Sequence, residues 1–346
     1  MKERKHAAKP DMDVADTAAA NKKKNMRRTI LLAIGSFLLV LVLGFVGIFW
    51  YFFGGLQTHE LQDDDLGIDS SYHSSLAQGK KITNIALFGI DTREGGNANH
   101  GLSDAIIILS INHDTNKVKL ISVMRDSYVK INGKYDKITH AYGYGGAALA
   151  VKTLNENFKL NITDYVTVNF QQLARVIDAV GGIRLDVTEA ERNYINSHIN
   201  EVHGSPSDYL QTSGPDTLLN GIQAVGFSRI RKLDSDQART SRQREVIMAV
   251  FDQVMTKSVF QYPGLVKTML PMVTTSFTYS DVLDFLPVAT SGQVQMAETM
   301  IPGKYDNAKD AMINGVYYMQ YDLTKATDHI HDFIYNDIDP NAEPEN

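Results

Sequence analysis

The chain has 346 residues, 34 Lys and Arg against 40 Asp and Glu, a formal net charge of −6 and no cysteine. The missing cysteine excludes disulfides, thiolate metal sites and a thiol nucleophile. The acidic balance argues against a nucleic-acid partner.

The charge is unevenly placed. Residues 1–28 carry nine Lys and Arg against four Asp and Glu, a net +5, which leaves −11 on the rest. Residues 29–53 contain no charged side chain and are almost wholly apolar. At about 1.5 Å per residue such a helix crosses a hydrocarbon layer of about 30 Å. Trp50, Tyr51, Phe52 and Phe53 form an aromatic belt at its far end, and Lys22, Lys23, Lys24, Arg27 and Arg28 crowd its near end. The positive-inside rule then keeps the first 28 residues in the cytoplasm and puts everything after Gly54 outside. A cleaved signal peptide fits less well, because the apolar stretch is too long and no small-residue cleavage site follows.

Residues 54–80 are polar and read as a stalk. Asp63, Asp64 and Asp65 lack the glycine-punctuated loop of a calcium site, so they read as a solvated spacer. Residues 81–257 form the main external domain, 258–337 a C-terminal extension and 338–346 a disordered tail. No internal repeat is present.

Within the domain, Asn84-Ile-Ala-Leu-Phe-Gly-Ile90 is a short apolar strand that runs into Asp91 and Arg93. Ala105-Ile-Ile-Ile-Leu-Ser-Ile111 has the continuous apolar character of a strand buried on both faces. A turn joins it to residues 118–123, predicting a hairpin. Residues 141–158 and 170–180 read as helices, the second stopped by Gly181-Gly182. Residues 165–168, 183–187 and 225–231 read as strands, and 240–255 as an amphipathic helix. The alternation predicts an α/β domain, a mixed central sheet flanked by helices.

Chemistry-bearing residues recur where these elements end. Asp91 and Arg93 follow the first strand, Asp104 precedes the second, and Arg125 and Asp126 follow the third. A single Asp at such a place is an ordinary turn former. The recurrence is what points to a site, since open α/β sheets bind ligands at strand ends. The densest cluster comes later. Arg229 and Arg231, two apart on a predicted strand, share a face. Asp236 reads as the N-cap of the next helix, which carries Arg239, Arg242 and Gln243, with Arg239 and Gln243 four apart. Several guanidinium groups aimed at one place repel one another unless they hold an anion, and their planar forks suit phosphate oxygens. The competing reading is a solvated, salt-bridged helix face.

The segments Phe88-Gly-Ile-Asp91-Thr-Arg93, Leu102-Ser-Asp104, Ser122-Val-Met-Arg125-Asp126, Lys137-Ile-Thr-His-Ala141, Val176-Ile-Asp-Ala-Val-Gly-Gly182, Leu219-Asn-Gly221 and Arg229 through Gln243 resemble the LytR–CpsA–Psr family, in the family's order. The resemblance implies a membrane-anchored enzyme that moves a glycopolymer from a polyprenyl-pyrophosphate carrier to peptidoglycan, leaving a phosphodiester and polyprenyl phosphate. It implies pyrophosphate binding by Arg93, Arg125, Lys137, Arg229, Arg231, Arg239, Arg242 and Gln243. It implies a magnesium ion on Asp104 and Asp236. Catalysis falls to Asp91, Arg125, Asp126 and Arg239, with Asp91 the expected base for the acceptor hydroxyl and Asp126 the alternative. The carrier's tail would need an apolar groove, for which helices 141–158 and 170–180 are candidates, against their ordinary role as core. Thr139, Met124 and Phe227 depart from the residues many members carry, where Asn, Pro and Tyr are common. None of the three changes a charge.

Three other readings remain at this point. A polyprenyl-pyrophosphate hydrolase would use the same clamp with water in place of the sugar. A non-catalytic regulator of envelope genes has only 28 cytoplasmic residues, short for a DNA-binding unit, and a polysaccharide-binding module without chemistry would leave the metal carboxylates unexplained.

Overall fold

The structure, a computed structural model, describes residues 61–341 apart from 62–65, 71, 73–78, 92–100, 203, 232, 234 and 278. Arg93, the cytoplasmic tail, the apolar span and most of the stalk lie outside the described residues. Among the described residues no helix is long and apolar enough to cross a membrane.

The chain runs β1 (Ile82–Ile90), β2 (Ser103–Asn112), β3 (Lys117–Val123), β4 (Tyr128–Ile131), β5 (Lys134–Lys137), α1 (Ile138–Phe158), β6 (Asp164–Asn169), α2 (Phe170–Val180), β7 (Ile183–Val187) and α3 (Glu189–Ser197). It continues through β8 (Gly214–Leu219), α4 (Gly221–Ser228), α5 (Asp236–Met255), α6 (Tyr262–Met269), β9 (Thr274–Thr275), α7 (Tyr279–Thr290), β10 (Gln295–Ile301), β11 (Lys309–Ile313), β12 (Val316–Gln320) and α8 (Leu323–His331). The central sheet has the order β10-β3-β2-β1-β6-β9. Its β1–β2, β2–β3 and β6–β9 pairs are antiparallel, while β1–β6 and β10–β3 are parallel. The sheet is mixed, as expected.

Alternation along the strands sends side chains to two faces. Ala86, Phe88, Ile106, Ile108 and Ile121 pack against α1 and α8. Ile85, Ile111 and Val118 face Phe251 of α5 and Phe285 and Val288 of α7. A further core joins α2, α4 and α5 to the antiparallel β7–β8 pair, around Ile177, Ile183, Leu219, Phe227 and Ile230. Burying each such side chain contributes about 2 kcal/mol.

Several boundaries differ from the sequence reading. Helix α1 begins at Ile138, three residues early, although Lys137 supplies no side-chain cap. Its first amides are satisfied from a distant segment: Ile138 N–H donates to the Ser127 carbonyl and Thr139 N–H to that of Arg125. Such capping leaves no local signature. The helix also bends at Gly145 and Gly146, where Gly146 has φ 64°, a value glycine reaches without penalty.

Residues 225–231 are not a strand. Helix α4 covers most of them, started by a capping box in which Asn220 accepts from Gln223 N–H and the Gln223 side chain accepts from Asn220 N–H. A short apolar run such as Ala224-Val-Gly-Phe227 fits a strand or a buried helix equally well, and the cap decides. Arg229 is the C-cap of α4, and fully buried Ile230 lies between it and Arg231. The N-cap of α5 is Ser235, whose hydroxyl accepts from Ala238 N–H. Asp236 is therefore the first helical residue, where its charge meets the positive end of the helix.

The C-terminal part is woven into the sheet, with β9 at one edge and β10 at the other. Asn341 is tied to Thr299 and to Lys304 N–H, so the first residues after Asp337 lie against the domain.

Candidate active site

The sequence-predicted residues converge at the ends of β1 and β2, the turn after β3, the end of α4 and the start of α5. A cavity of about 450 Å³ opens there. Asp91, Asp104, Arg125, Arg229, Arg231, Arg239 and Gln243 all line it. The β1–β2 register shifts between Gly89 and Ile90, just before Asp91, as irregularities next to sites often do.

Charge pairs organise the cavity floor. Arg125 Nη1 donates to Asp104 Oδ1 at 2.5 Å, and Arg231 Nη2 lies 3.4 Å from Asp104 Oδ2. Arg239 Nη2 lies 3.0 Å from Asp236 Oδ1. Burial opposes the charge on Arg125, but Asp104, Asp126 and Asp236 outweigh it and hold its pKa above the ordinary value. Arg239 differs. It is only 2% exposed, and its Nε and Nη1 have no hydrogen-bond partner. Burial, helped by the neighbouring charges of Arg125 and Arg231 and opposed by Asp236 and Asp104, pushes its pKa down to about 10. It remains charged at neutral pH. A buried guanidinium with idle donors is costly unless a ligand accepts from them. Arg229 lies with its guanidinium 4.6 Å from the centre of the Phe170 ring, a cation–π contact that holds it at the cavity wall.

Three expected residues stand elsewhere. Arg242 does not line the cavity. It points into the core joining α2, α4 and α5, where Nε donates to Glu191 Oε1 at 2.9 Å, both side chains nearly buried. One residue along a helix is a turn of about 100°, so a neighbour of a site residue need not face the site. Lys137 and Asp126 form a layer behind Arg125. Lys137 Nζ donates to Asp126 Oδ1 at 2.6 Å, and Asp126 Oδ2 lies 3.5 Å from Arg125 Nε. Held in this way, Asp126 is a positioning group for Arg125. Asp91 is exposed and lines the cavity directly.

The departures from common family residues have local roles. Thr139 Oγ1 donates to the Ser103 carbonyl at 2.9 Å, clamping the start of β2 beside Asp104. Buried Met124 accepts from Thr240 Oγ1 next to Arg239, and Phe227 lies under the Arg242 guanidinium. One wall was announced by no motif. Tyr194, His198 and Glu201 line the cavity, with the Tyr194 and His198 rings stacked 4.1 Å apart. The four-residue spacing of Tyr194 on α3 and His198 at its C-cap was the available signal.

Among the described residues no group of three His, Asp or Glu side chains is placed to hold a metal ion. The site offers the carboxylates of Asp104 and Asp236, each engaged by a guanidinium. These are the hard oxygen donors magnesium takes, and it commonly uses one or two carboxylates together with substrate phosphates and water.

Behind the charged cavity lies an apolar one. A hollow of about 140 Å³ shares Asp104, Phe170, Ser228 and Gln243 with it, and is otherwise lined by residues such as Leu87, Ile107, Val166, Leu173 and Val246. A third hollow of about 340 Å³ shares Val166 and is walled by Leu265, Met269, Phe277 and Phe285. Helix α2, one of the two candidate groove helices, contributes Phe170 and Leu173 to the smaller apolar hollow. Helix α1 does not, because it packs on the opposite face of the sheet.

Comparison with known proteins places the chain in a family. TagU of Bacillus subtilis (strain 168), named polyisoprenyl-teichoic acid–peptidoglycan teichoic acid transferase, is 27% identical over 320 residues, 89% of this chain and 96% of that protein. The TagU of Oceanobacillus iheyensis is 35% identical over 255 residues, 71% of this chain and 73% of its own length. A solved structure described as TagT bound to LIIa-WTA superposes with a TM-score of 0.60 at 28% identity, covering 75% of this chain and 91% of that one. Residues 52–332 match the LytR_cpsA_psr family, and the chain belongs to it.

Proposed function

We propose that this protein is a membrane-anchored phosphotransferase that moves a glycopolymer from a polyprenyl-pyrophosphate carrier onto peptidoglycan. The observation that carries this reading is the junction between the arginine-lined cavity and the apolar hollow beside it, through the shared wall of Asp104, Phe170, Ser228 and Gln243. A polyprenyl pyrophosphate has the same division, a multiply charged head on a hydrocarbon tail. The names of the TagU relatives support teichoic acid as the first polymer to test. Residues 29–53 serve as the anchor in this reading, with the N-terminus inside, supported by their apolar run and basic flank.

The reaction is an in-line displacement. The acceptor sugar oxygen bonds to the phosphorus that carries the glycopolymer, and the bond from that phosphorus to the bridging oxygen breaks. Polyprenyl phosphate leaves, and the hydroxyl proton passes to Asp91. Phosphoryl transfer needs positioning and charge stabilisation above all. Arg229, Arg231, Arg239 and Gln243 hold the pyrophosphate, and the idle donors of Arg239 donate to the leaving phosphate as negative charge grows on it. Arg125 is aimed by Asp104 on one side and by Asp126 and Lys137 on the other. Asp104 and Asp236 are the residues that would hold magnesium. When bound, it would neutralise negative charge on the phosphoryl oxygens.

Acceptor dependence tests the reading. Release of polyprenyl phosphate should rise with added uncrosslinked peptidoglycan strands and be slow without them. Equal release with and without acceptor would make the protein a hydrolase.

A further inference from the structure

A patch of tyrosines lies beside the site but outside the charged cavity. It is built by the β4–β5 hairpin, the start of α1 and the β11–β12 hairpin. Tyr128 stacks on Tyr135 with ring centres 5.0 Å apart and meets Tyr318 edge-on at 4.9 Å. Tyr135 is 50% exposed, Tyr144 65% and Tyr317 36%. Exposed tyrosine faces in one place are unusual for a surface that binds nothing.

Two carboxylates hold three of the hydroxyls, Asp310 that of Tyr317 at 2.7 Å and Asp136 those of Tyr144 and Tyr318. Asp136 accepts from the Tyr144 hydroxyl at 2.7 Å and the Tyr318 hydroxyl at 3.4 Å, and pairs with His140 Nδ1 at 3.0 Å. Burial works against the charge of Asp136, but Tyr144, His140 and Lys137 N–H outweigh it and keep its pKa below the ordinary value. Pinned hydroxyls leave the ring faces presented without the entropy cost of freezing them on binding.

The patch is physically joined to the site. Met319 N–H donates to the Asp126 carbonyl at 2.9 Å, and Ser127 bridges to Met319. Lys137, which holds Asp126, sits 5.6 Å from the Tyr317 ring centre and 5.8 Å from that of Tyr318. Tyr317 lies within the field of Asp126 and Asp236.

We propose that this tyrosine face is the docking surface for the acceptor glycan, a linear run of pyranose rings in peptidoglycan, which it leads toward Asp91 and Arg125. The inference rests on the transferase reading above. Pyranose rings present flat C–H faces that stack on aromatic rings, and their hydroxyls bond to groups such as Asp136 and His140 at the edges. A lipid surface fits less well. Asp136 and Asp310, which bond the tyrosine hydroxyls, would repel anionic headgroups.

The test uses the full chain and two variants, Tyr135→Ala with Tyr144→Ala, and Tyr144→Ala alone. The second removes only a largely exposed side chain and keeps the test open if the first misfolds. Binding to purified peptidoglycan strands is measured without donor, alongside acceptor KM and donor consumption. The expected result is at least tenfold weaker strand binding and a matching rise in acceptor KM for the double variant, a smaller change of the same sign for Tyr144→Ala, and unchanged kcat. Strand binding that ignores both substitutions, or loss of binding to anionic vesicles in place of strands, would overturn the proposal. If wild type consumes no donor yet binds strands through these tyrosines, the docking surface stands and the transferase reading falls. If wild type transfers normally and the variants do too, with unchanged KM, the transferase reading stands and the docking surface falls.

Discussion

Arg239 and Arg242 are three residues apart along one helix, and the fold gives them opposite tasks. Arg239 lines the charged cavity with donors left idle, whereas Arg242 is neutralised by Glu191 in the core. Two predictions follow from that contrast. Arg239→Met should raise the melting temperature of the empty domain, since a desolvated cation is removed and Asp236, about a third exposed, can turn to water. The same change should cut transfer by about 100-fold or more. Inorganic pyrophosphate should raise the melting temperature of wild type and not that of Arg239→Met. Arg242→Ala should behave the other way, costing about 3 kcal/mol of stability by leaving the nearly buried Glu191 without its counter-ion, with pyrophosphate affinity nearly intact. Thermal melts with and without pyrophosphate check all of this. The residue scale was the most legible in the sequence. Guanidinium groups at strand and helix ends advertise an anion site, and Asp91, Asp104, Arg125, Arg229, Arg231, Arg239 and Gln243 do meet. Arg242 was misread because charge type says nothing of which side of a helix a residue faces.

At the scale of elements, the strands with strong apolar runs and the helix bounded by Asn169 and Gly181 were legible, because their signals are local. Helix α4 was not, because its capping box was passed over, and the start of α1 could not have been, because carbonyls of residues 125 and 127 cap it. Contact between α2 and α4 places Arg229, and it depends on one glycine. A Cβ on Gly221 would sit 2.0 Å from the Ala174 carbonyl oxygen. Gly221→Ala should therefore destabilise the domain by about 3 kcal/mol or more and lose activity through misplacement of α4. A chemical-denaturation midpoint checks it. The C-terminal clasp is a second such junction. Asp337 lies 2.6 Å from Lys117 Nζ, and Lys119 Nζ donates to the Ile334 carbonyl at 2.9 Å. Burial opposes the charge of Asp337, but the two lysines outweigh it and hold its pKa below 3.8. Its contribution is therefore complete above about pH 4 and is lost as pH falls through the lowered value. Asp337→Asn should be less stable than wild type at pH 7, with the difference shrinking on acidification below pH 4 in paired melting curves.

The whole molecule is a sheet whose edge strands arrive last. Residues 258–337 read as an extension in sequence because they carry no cluster of charged motifs. In space β9 and β10 close the two edges of the sheet, and Ile301 is part of its core. A chain ending at residue 257 should fail to fold cooperatively, as circular dichroism melts would show. The same late segments supply Leu265, Phe277 and Phe285 to the outer apolar hollow. On the proposed reading, carrier tail, charged head and acceptor glycan take three regions of one fold. The most direct measurement is mass spectrometry of glycan strands after incubation with a polyprenyl-pyrophosphate-linked teichoic acid precursor, magnesium and the protein. The account predicts a sugar-phosphate adduct on the strands, formed by wild type and lost in Arg239→Ala and Asp91→Asn. An adduct made at full rate by both variants would contradict it, as would donor turnover that leaves the strands unmodified.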